Sequence, residues 1–376
     1  MLNGYFDIFL QCKKANTHAD TMKRLVFGLL AVLFGIALQA QEQQELLNLK
    51  LEARGDYQHE YIKSVTDDDA SGFKGQFLNL RIDGNISEEF SYSYRQRLNK
   101  KNSDATFFDA TDWVYLTWKK NNFEISAGKQ TVAIGGYEYD AAPIDLYFCS
   151  EWWQNIPCYQ LGASVGYNFN CGKDKLLAQF CESPFRGDVE MVDAAGNITT
   201  KKQETMYAYN LMWVGSHGCF NALYSVNMIE YLPGKYVNYI SLGNRFNFNG
   251  VSLEVDFMNR ATSGHTFFFS DISAITTIAW HPTEQLNLFA KASYDVNSSD
   301  VDNDILVSAG TEIVRVGAGV EYYPLKNGRN DVRIHAAGSF TFGETTPATV
   351  LRDNNTYLSV GVTWKMDLLS LKNKFL

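Results

Sequence analysis

The sequence predicts an all-β protein, a transmembrane antiparallel up-and-down β-barrel of about 16 strands with a long third loop folded into the lumen. Polar and apolar residues alternate in short segments between residues 47 and 366, and the connections between those segments alternate in length. Aromatic residues make up 14% of the chain, and its 28 glycines far outnumber its 7 prolines. The formal net charge of -9 argues against a nucleic-acid partner, which requires a basic surface.

The N-terminal residues are expected to be removed before the protein folds. Residues 22–40 begin with Met22, Lys23 and Arg24 and continue into an apolar run, as a secretory signal peptide does. This run is too short to span a bilayer as a helix. Residues 1–21 precede that start and are interpreted as a mis-called upstream extension. We therefore expect an exported protein with a single outer-membrane β-barrel domain over residues 41–376.

Alternation with a period of two residues defines each predicted strand. In residues 47–57, apolar or small residues occupy every second position, and polar or charged residues lie between them. Such a strand has one face in an apolar medium and the other in water. The sixteen predicted strands lie near residues 47–57, 78–83, 90–97, 109–119, 122–130, 158–169, 175–183, 205–215, 219–230, 235–248, 250–261, 269–280, 285–296, 311–323, 331–342 and 356–366.

The connections between these strands are predicted to alternate strictly between a short and a long class. Transmembrane barrels have this organisation, with tight periplasmic turns and longer outer loops. The long class includes residues 131–157, 184–204 and 231–235. No helical stretch competes with the strand pattern, so we expect one domain.

A soluble β-sandwich would also show alternation, and the aromatic residues distinguish the two folds. In a sandwich the apolar face is rich in Leu, Ile and Val, whereas transmembrane strands carry aromatic girdles where they cross the membrane interfaces. Aromatic residues collect at strand ends in this sequence, which favours the membrane barrel. The residues predicted for the girdles are Trp113, Tyr115, Trp118, Tyr207, Tyr209, Trp213, Tyr322, Tyr323 and Trp364.

Two consecutive segments resemble a known family. Residues 109–115 read DATDWVY and residues 123–130 read FEISAGKQ. Together they resemble the strand, turn and strand that lead into the third loop of the phosphate-selective porin O and P family of outer-membrane porins. The resemblance implies a sixteen-stranded, usually trimeric channel for small solutes, with residues 131–157 as the loop that constricts the pore.

The charge of that loop departs from the family pattern. The resemblance implies that phosphate-selective members line the constriction with Arg and Lys, but residues 131–158 contain no Lys, Arg or His. The loop instead offers Glu138, Asp140, Asp145 and Glu151. A phosphate site therefore cannot be transferred to these positions, and the acidic loop is more similar to that of general-diffusion porins.

Basic residues on the first three strands complete the predicted pore constriction. Arg54, Arg81, Arg95 and Arg97 occupy positions that should face the lumen. If the third loop folds inward, its carboxylates would face this basic wall and create a transverse field that favours small polar solutes. Alternatively, the arginines pair with Glu52, Asp56 and Asp83 on neighbouring strands and only stabilise the wall. The sequence leaves both interpretations open.

No motif indicates catalysis. Residues 162–166 match the G-x-S-x-G pattern of hydrolases, but they lie within a predicted strand rather than at a strand-to-helix turn. Histidines and cysteines lack the spacing of a metal site, so we expect no cofactor and no metal. Cys149 and Cys158 are near enough in sequence to form a local disulfide, and whether they do is open.

The predicted function is a water-filled channel in the outer membrane of a Gram-negative bacterium. Small hydrophilic solutes or ions would pass by passive diffusion through a barrel in contact with outer-membrane lipid. The family resemblance implies a homotrimer. Two alternatives stay open: a binding or adhesion barrel that acts through its outer loops, and an anion- or phosphate-selective porin.

Overall fold

The computed structural model describes residues 44–62, 71–100, 108–156, 158–185, 188–192, 198–203, 205–262, 270–299 and 306–373. The predicted upstream extension and signal peptide lie outside these residues. Leu46–Leu371 form one compact unit, and the description that follows concerns that unit.

Extended strands account for most of the described chain. They are β1 (Gln44–Ile62), β2 (Gly72–Asn85), β3 (Phe90–Arg97), β4 (Thr111–Lys120), β5 (Phe123–Thr131), β6 (Tyr159–Phe169), β7 (Asp174–Glu182), β8 (Asp188–Val192), β9 (Ile198–Gln203), β10 (Tyr207–His217), β11 (Phe220–Leu232), β12 (Lys235–Phe248), β13 (Val251–Thr262), β14 (Asp271–Thr283), β15 (Leu286–Asn297), β16 (Thr311–Asn327), β17 (Asn330–Glu344) and β18 (Asn355–Asn373).

Sixteen of these strands form one closed antiparallel barrel. Each strand pairs with its neighbour in the chain, except that β7 pairs with β10, and β1 lies beside β18 to close the sheet. β8 and β9 form a separate two-stranded sheet. The prediction of a sixteen-stranded barrel is therefore confirmed, and the predicted segments correspond to its strands.

The alternation separates each barrel strand into an apolar face and a polar face. On β11, Val226 is 58% exposed and Met228 is 40% exposed, whereas Ser225 and Asn227 between and beside them are buried. A strand sends successive side chains to opposite faces, so exposed and buried positions alternate along the strands; the buried face is mainly polar but also carries Ile229, Tyr239 and Met258. We call the exposed set the apolar face and the buried set the polar face.

Two predicted long connections differ from expectation. Residues 231–235 form a tight turn, because β11 continues to Leu232 and β12 begins at Lys235. Gly234 supplies the positive φ of 72° that such a turn requires. The prediction of a strict alternation of short and long connections is therefore wrong at this position. The other connection, residues 184–204, is predicted to be a loop but contains the β8–β9 hairpin.

The predicted aromatic girdle is also wrong at three positions, Trp113, Tyr115 and Tyr323. Tyr323 is 8% exposed, and its hydroxyl donates to Glu321 Oε2 over 2.8 Å. Trp113 and Tyr115 alternate with Val114 and Leu116, which are 39% and 43% exposed on the apolar face. The indole Nε1 of Trp113 donates a hydrogen bond to Ser93 Oγ over 2.7 Å. All three aromatic residues therefore belong to the polar face. Aromatic residues occur at both odd and even positions near the ends of these strands. Their location near a strand end therefore does not show which face they occupy.

The helices of the described residues are short and lie mainly in the connection between β5 and β6. They are α1 (Tyr137–Asp140) and α2 (Glu151–Asn155), with 3₁₀ turns at Pro143–Asp145 and Asn170–Gly172. Among the described residues, no helix has the length and apolar character needed to cross a membrane. Cys149 and Cys158 are both free thiols.

The main hydrophobic core lies between that connection and the barrel wall. Trp152 of α2 is 1% exposed, and its ring lies 5.6 Å from the ring of Tyr139. These rings pack in one cluster with Ile229, Tyr239 and Met258 from β11, β12 and β13. Burying aromatic rings of this size contributes strongly to stability, so the connection is packed like a protein interior.

Candidate functional site

The segment between β5 and β6, residues 132–156, is the candidate site, and we call it the third-loop segment. Its first residues bond to the polar face of the wall through their backbone. Ala133 N donates to Gln179 Oε1 over 2.7 Å, and Asn227 Nδ2 donates to Ala133 O over 2.8 Å. Gly135 N then donates to Ser225 Oγ over 2.8 Å. The segment thus leaves β5 along the wall formed by β7 and β11.

Glycines permit the segment to approach the wall closely. A Cβ atom at Gly243 of β12 would lie 2.7 Å from Gly136 Cα, and one at Gly135 would lie 2.4 Å from the carbonyl oxygen of Leu223. Gly136 also has a φ of 103°, which favours glycine. Any side chain at these positions would push the segment away from the strands.

Asp256 of β13 holds the first helix of the segment. Its carboxylate accepts hydrogen bonds from the backbone N–H groups of Tyr137 and Glu138, each over 2.8 Å. Asp256 is 2% exposed. The first N–H groups of a helix have no partner within the helix, and a carboxylate both satisfies them and interacts favourably with the helix dipole.

Asp295 of β15 holds the second helix in the same way. Its carboxylate accepts from Glu151 N over 3.0 Å and from Trp152 N over 3.3 Å. Ser150 Oγ accepts from Trp153 N over 3.1 Å and acts as the N-cap of α2. Two buried carboxylates from the wall therefore anchor the two helices through their backbone.

Glu138 is fully engaged by cationic and polar donors. Its carboxylate lies 2.6 Å from Lys291 Nζ of β15, and it accepts from Ser150 N over 2.9 Å. Lys291 also donates to Phe148 O over 3.1 Å. The Glu138 side chain is 1% exposed, so its charge is compensated locally.

Glu151 is buried without an ion pair to a described residue. Its two carboxylate oxygens accept from the backbone N–H groups of Val350 and Leu351, each over 2.8 Å, and Oε1 also accepts from Asn155 Nδ2 over 2.9 Å. Glu151 is 0% exposed. Val350 and Leu351 belong to the connection between β17 and β18, so Glu151 joins two connections.

Asp145 lies between two cations. Its carboxylate is 2.7 Å from Arg333 of β17 and 2.7 Å from Lys365 of β18. Burial alone would raise the pKa of Asp145, but Lys365 and Arg333 outweigh it and hold the pKa below its usual range.

Asp140 is the exposed acid of the segment. The partial loss of water around its carboxyl raises its pKa, and Arg245 of β12 opposes this shift only in part. The Arg245 guanidinium stacks 3.9 Å above the Tyr137 ring. Of the four acids, Asp140 therefore differs in facing solvent with no ion pair to any residue that the structure describes.

The four basic residues predicted to line the constriction lie on β1, β2 and β3. Arg54 of β1 pairs with Asp56 over 2.7 Å and donates to the backbone carbonyls of Ile144 and Leu146 in the third-loop segment. Arg54 therefore contacts the third-loop segment, but it binds the backbone of the segment and not the acidic side chains.

Arg81, Arg95 and Arg97 pair with acids of the strands themselves. Arg81 lies 2.6 Å from Asp83, while Arg95 and Arg97 lie 2.9 Å and 2.7 Å from Asp112. These short ion pairs support the structural interpretation of the arginines, in which they stabilise the wall. Of the pairs observed, those with Asp56 and Asp83 were anticipated and those with Asp112 were not.

A row of cations nevertheless crosses three neighbouring strands. Lys50 of β1 is directly opposite Arg81 of β2, which is directly opposite Arg95 of β3. Like charges placed opposite one another are unfavourable unless acids compensate them. Each has such a partner: Lys50 lies 3.6 Å from Asp367.

Six charged wall residues that hold the segment were missed by sequence reasoning. They are Asp256, Lys291, Asp295, Arg315, Arg333 and Lys365. The available signal was their parity, since each is a charged residue at a position predicted to be on the polar face within a strand. Parity does not reveal the partner, because the partner lies in a connection far away in sequence.

Two cavities flank the segment. One, of about 220 Å³, lies against β13–β17 and is lined by Tyr137, Tyr147, Lys291, Glu321 and Arg333 among others. The second, of about 400 Å³, is lined by Arg54, Glu60, Trp153, Arg315 and Tyr357 among others. Within the described residues no group of three His, Cys, Asp or Glu side chains is arranged to hold a metal.

Comparison with protein families gives one match. The family model described as phosphate-selective porin O and P matches residues 47–266, which is more than half of the chain. No curated protein sequence matches the chain.

Solved structures share the fold. The chain is similar to an anion-selective porin from Comamonas acidovorans, with a TM-score of 0.54 and 10% identity over 85% of this chain and 99% of that one. It is similar to the trimer form of OmpT from Vibrio cholerae, with a TM-score of 0.51 and 11% identity over 85% and 98%. It is also similar to the outer-membrane channel DcaP of Acinetobacter baumannii, with a TM-score of 0.52 and 13% identity over 84% and 96%.

Proposed function

Because the chain belongs to the phosphate-selective porin O and P family and is an outer-membrane porin, we propose that its third-loop segment crosses the lumen and narrows a water-filled channel. Small hydrophilic solutes and ions diffuse through this channel without chemical change. A sixteen-stranded barrel is wide enough for an aqueous channel, so which solutes pass depends on the residues that narrow the channel.

The observation that carries this proposal is the distribution of the segment's partners around the wall. Backbone and side chains of the segment bond to the polar faces of β11, β13, β15, β17 and β1, which are spaced two strands apart in the closed strand order, so that β11 and β1 lie on opposite sides of the barrel. A single segment that reaches polar-face residues on such distant strands is best explained by a path through the interior. The same path would place the cavities beside it within the channel.

The segment's charges support weak ion selectivity. Glu138 and Asp145 have cationic partners and Glu151 is bonded to amides, so Asp140 is the acid left to act on passing ions. The transverse field expected from opposed carboxylates and arginines is correspondingly reduced, since most of these charges are matched at short range. We infer a modest cation preference from Asp140.

A second candidate function is an anion-preferring pore. The row formed by Lys50, Arg81 and Arg95 favours it, because the Lys50 and Arg81 side chains stay 33% and 37% exposed. The two candidates differ in the sign of the reversal potential under a salt gradient.

Purified protein in planar bilayers and in liposomes tests the proposal. We expect stepwise ohmic conductance, liposome swelling that slows as the size of an uncharged sugar increases, and a small reversal potential of cation sign. A reversal potential of anion sign that is lost in Arg81→Gln would favour the second candidate. Protein that is folded by circular dichroism but gives neither conductance nor swelling would contradict both.

Two further features are proposed with the channel. A homotrimer is consistent with the trimer form solved for the similar OmpT of Vibrio cholerae. Cleavage after a signal peptide at residues 22–40 leaves a single barrel domain from residue 41. Native mass spectrometry of protein extracted from outer membranes tests both, since it measures the number of chains and the mass of the mature chain.

A further inference from the structure

The bonds of Glu151 run between the third-loop segment and the connection formed by residues 345–354, which we call the last outer loop. Two successive backbone N–H groups of that loop, Val350 and Leu351, donate to the two oxygens of one carboxylate. Charge-assisted hydrogen bonds of this kind are about twice as strong as neutral ones. A buried charge held by these donors would be costly if they moved away.

The last outer loop is bonded on its other side as well. Thr349 Oγ1 lies 2.8 Å from Thr311 Oγ1, and Thr346 Oγ1 lies 2.7 Å from Ser308 Oγ. Thr349 is 1% exposed. The loop is therefore fixed between Glu151 on one side and residues at the start of β16 on the other.

Glu151 is poorly placed to act on ions. Its side chain is closed off from solvent, whereas a residue that sets ion selectivity must face the permeating ions. Its hydrogen bonds instead fix the position of α2, which is also bound by Asp295 of the wall.

We propose that Glu151 is a positioning residue that latches the third-loop segment to the last outer loop, so that the outer loop controls how long the channel stays open. The proposal rests on the proposed function, because it takes the third-loop segment as the constriction. When the latch is intact, the outer loop and the constriction move together. When it is broken, each moves separately and the constriction fluctuates.

The first experiment compares Glu151→Gln with Glu344→Gln, an exposed glutamate at the end of β17 that has the same change of charge. Gln keeps one acceptor oxygen but places an amide donor against a backbone N–H. We expect trypsin to cleave the folded Glu151→Gln protein after Arg352 about tenfold faster, from the loss of about one charge-assisted hydrogen bond. We also expect channel closures to be about tenfold more frequent, with the reversal potential unchanged.

The control should match the unsubstituted protein in all three measurements. Equal behaviour of the two variants would overturn the proposal, and so would a shift in reversal potential without a change in closures. Faster cleavage with unchanged closures would overturn the link to gating. If the unsubstituted protein conducts no current, the proposed function fails, but the cleavage measurement still tests whether the two loops are joined.

A variant in the last outer loop keeps the proposal testable if Glu151→Gln does not fold. Thr349→Val removes a hydroxyl at nearly constant volume and weakens the far side of the outer loop. We expect the same increase in closures, and we expect the double variant to close no more often than Glu151→Gln alone, because both act through one link. Additive effects would show that the two residues act independently and would overturn the latch.

Discussion

Asp140 and Asp145 are five positions apart in the third-loop segment, yet their surroundings differ in charge. The pKa of Asp140 is raised by loss of water, whereas Lys365 and Arg333 lower the pKa of Asp145. As pH falls, Asp140 therefore takes up its proton first and Asp145 keeps its charge to lower pH.

This difference predicts a pH-dependent cation preference. At neutral pH, Asp140→Asn should shift the reversal potential toward anions. On acidification the unsubstituted protein should approach the variant at a pH above the usual carboxyl range of about 4, because Asp140 is then already neutral. Reversal potentials measured under a KCl gradient from pH 7 to pH 3 check this. Curves that stay parallel down to pH 3 would mean that Asp140 does not titrate in the channel.

Asp256 illustrates how one wall residue positions many others. In Asp256→Ala, the N–H groups of Tyr137 and Glu138 lose their acceptor, and each unsatisfied buried donor costs about 1–3 kcal/mol. We expect an intact barrel with a lower urea midpoint and noisier currents. Glu254→Gln is the matched control, since Glu254 pairs with Arg245 and has no bond to the segment. Noise that is equal in both variants would argue that α1 is not held by Asp256.

At the scale of elements, the two faces of a strand should respond differently to charge. Val226 is at the centre of β11 and is exposed on the apolar face. Val226→Arg should destabilise the barrel by about 2–4 kcal/mol if it faces the centre of the membrane. Leu232→Arg, at the end of the same strand, should cost no more than about 1 kcal/mol. Folding titrations in lipid vesicles measure both, and equal costs would place β11 outside the membrane.

The strands were predictable from sequence because their signal is local. Residues 47–57 show the alternation within a single strand, and the medium on each side of a barrel imposes it throughout. The tight turn at Pro233 and Gly234 was misassigned because the strands on either side extend beyond the clear alternation. The β8–β9 hairpin was missed because it pairs only with itself.

The contacts that hold the third-loop segment were not predictable, because each joins residues that are far apart in the sequence. Asp256 lies 119 residues from Tyr137, and in sequence it looks no different from Glu254 two positions before it. The four acids of the segment were identified, but their partners decide whether they face ions. Those partners are set by the closure of the barrel, which brings β13, β15 and β17 to one segment.

For the whole molecule, the barrel and the segment should be separable. Deleting residues 141–155 should leave the strand-to-strand hydrogen bonds intact and raise the conductance, because the obstruction is removed. Stability should fall, since Lys291 loses its bond to Phe148 O and Asp295 loses the backbone donors of Glu151 and Trp152. Deleting residues 188–203, a similar length outside the barrel sheet, is the control. Single-channel recordings that show the same conductance after both deletions would place the segment outside the lumen.

The wall holds the third-loop segment mainly by its main chain, and this has a consequence for how such a protein diversifies. Asp256, Asp295 and Arg54 bind N–H and C=O groups that every amino acid other than proline possesses. Mutations that replace exposed side chains of the segment, such as Asp140, would leave this scaffold in place. A lineage could thus acquire new solute preferences by point mutation at these exposed positions, while the contacts that hold the segment stay unchanged.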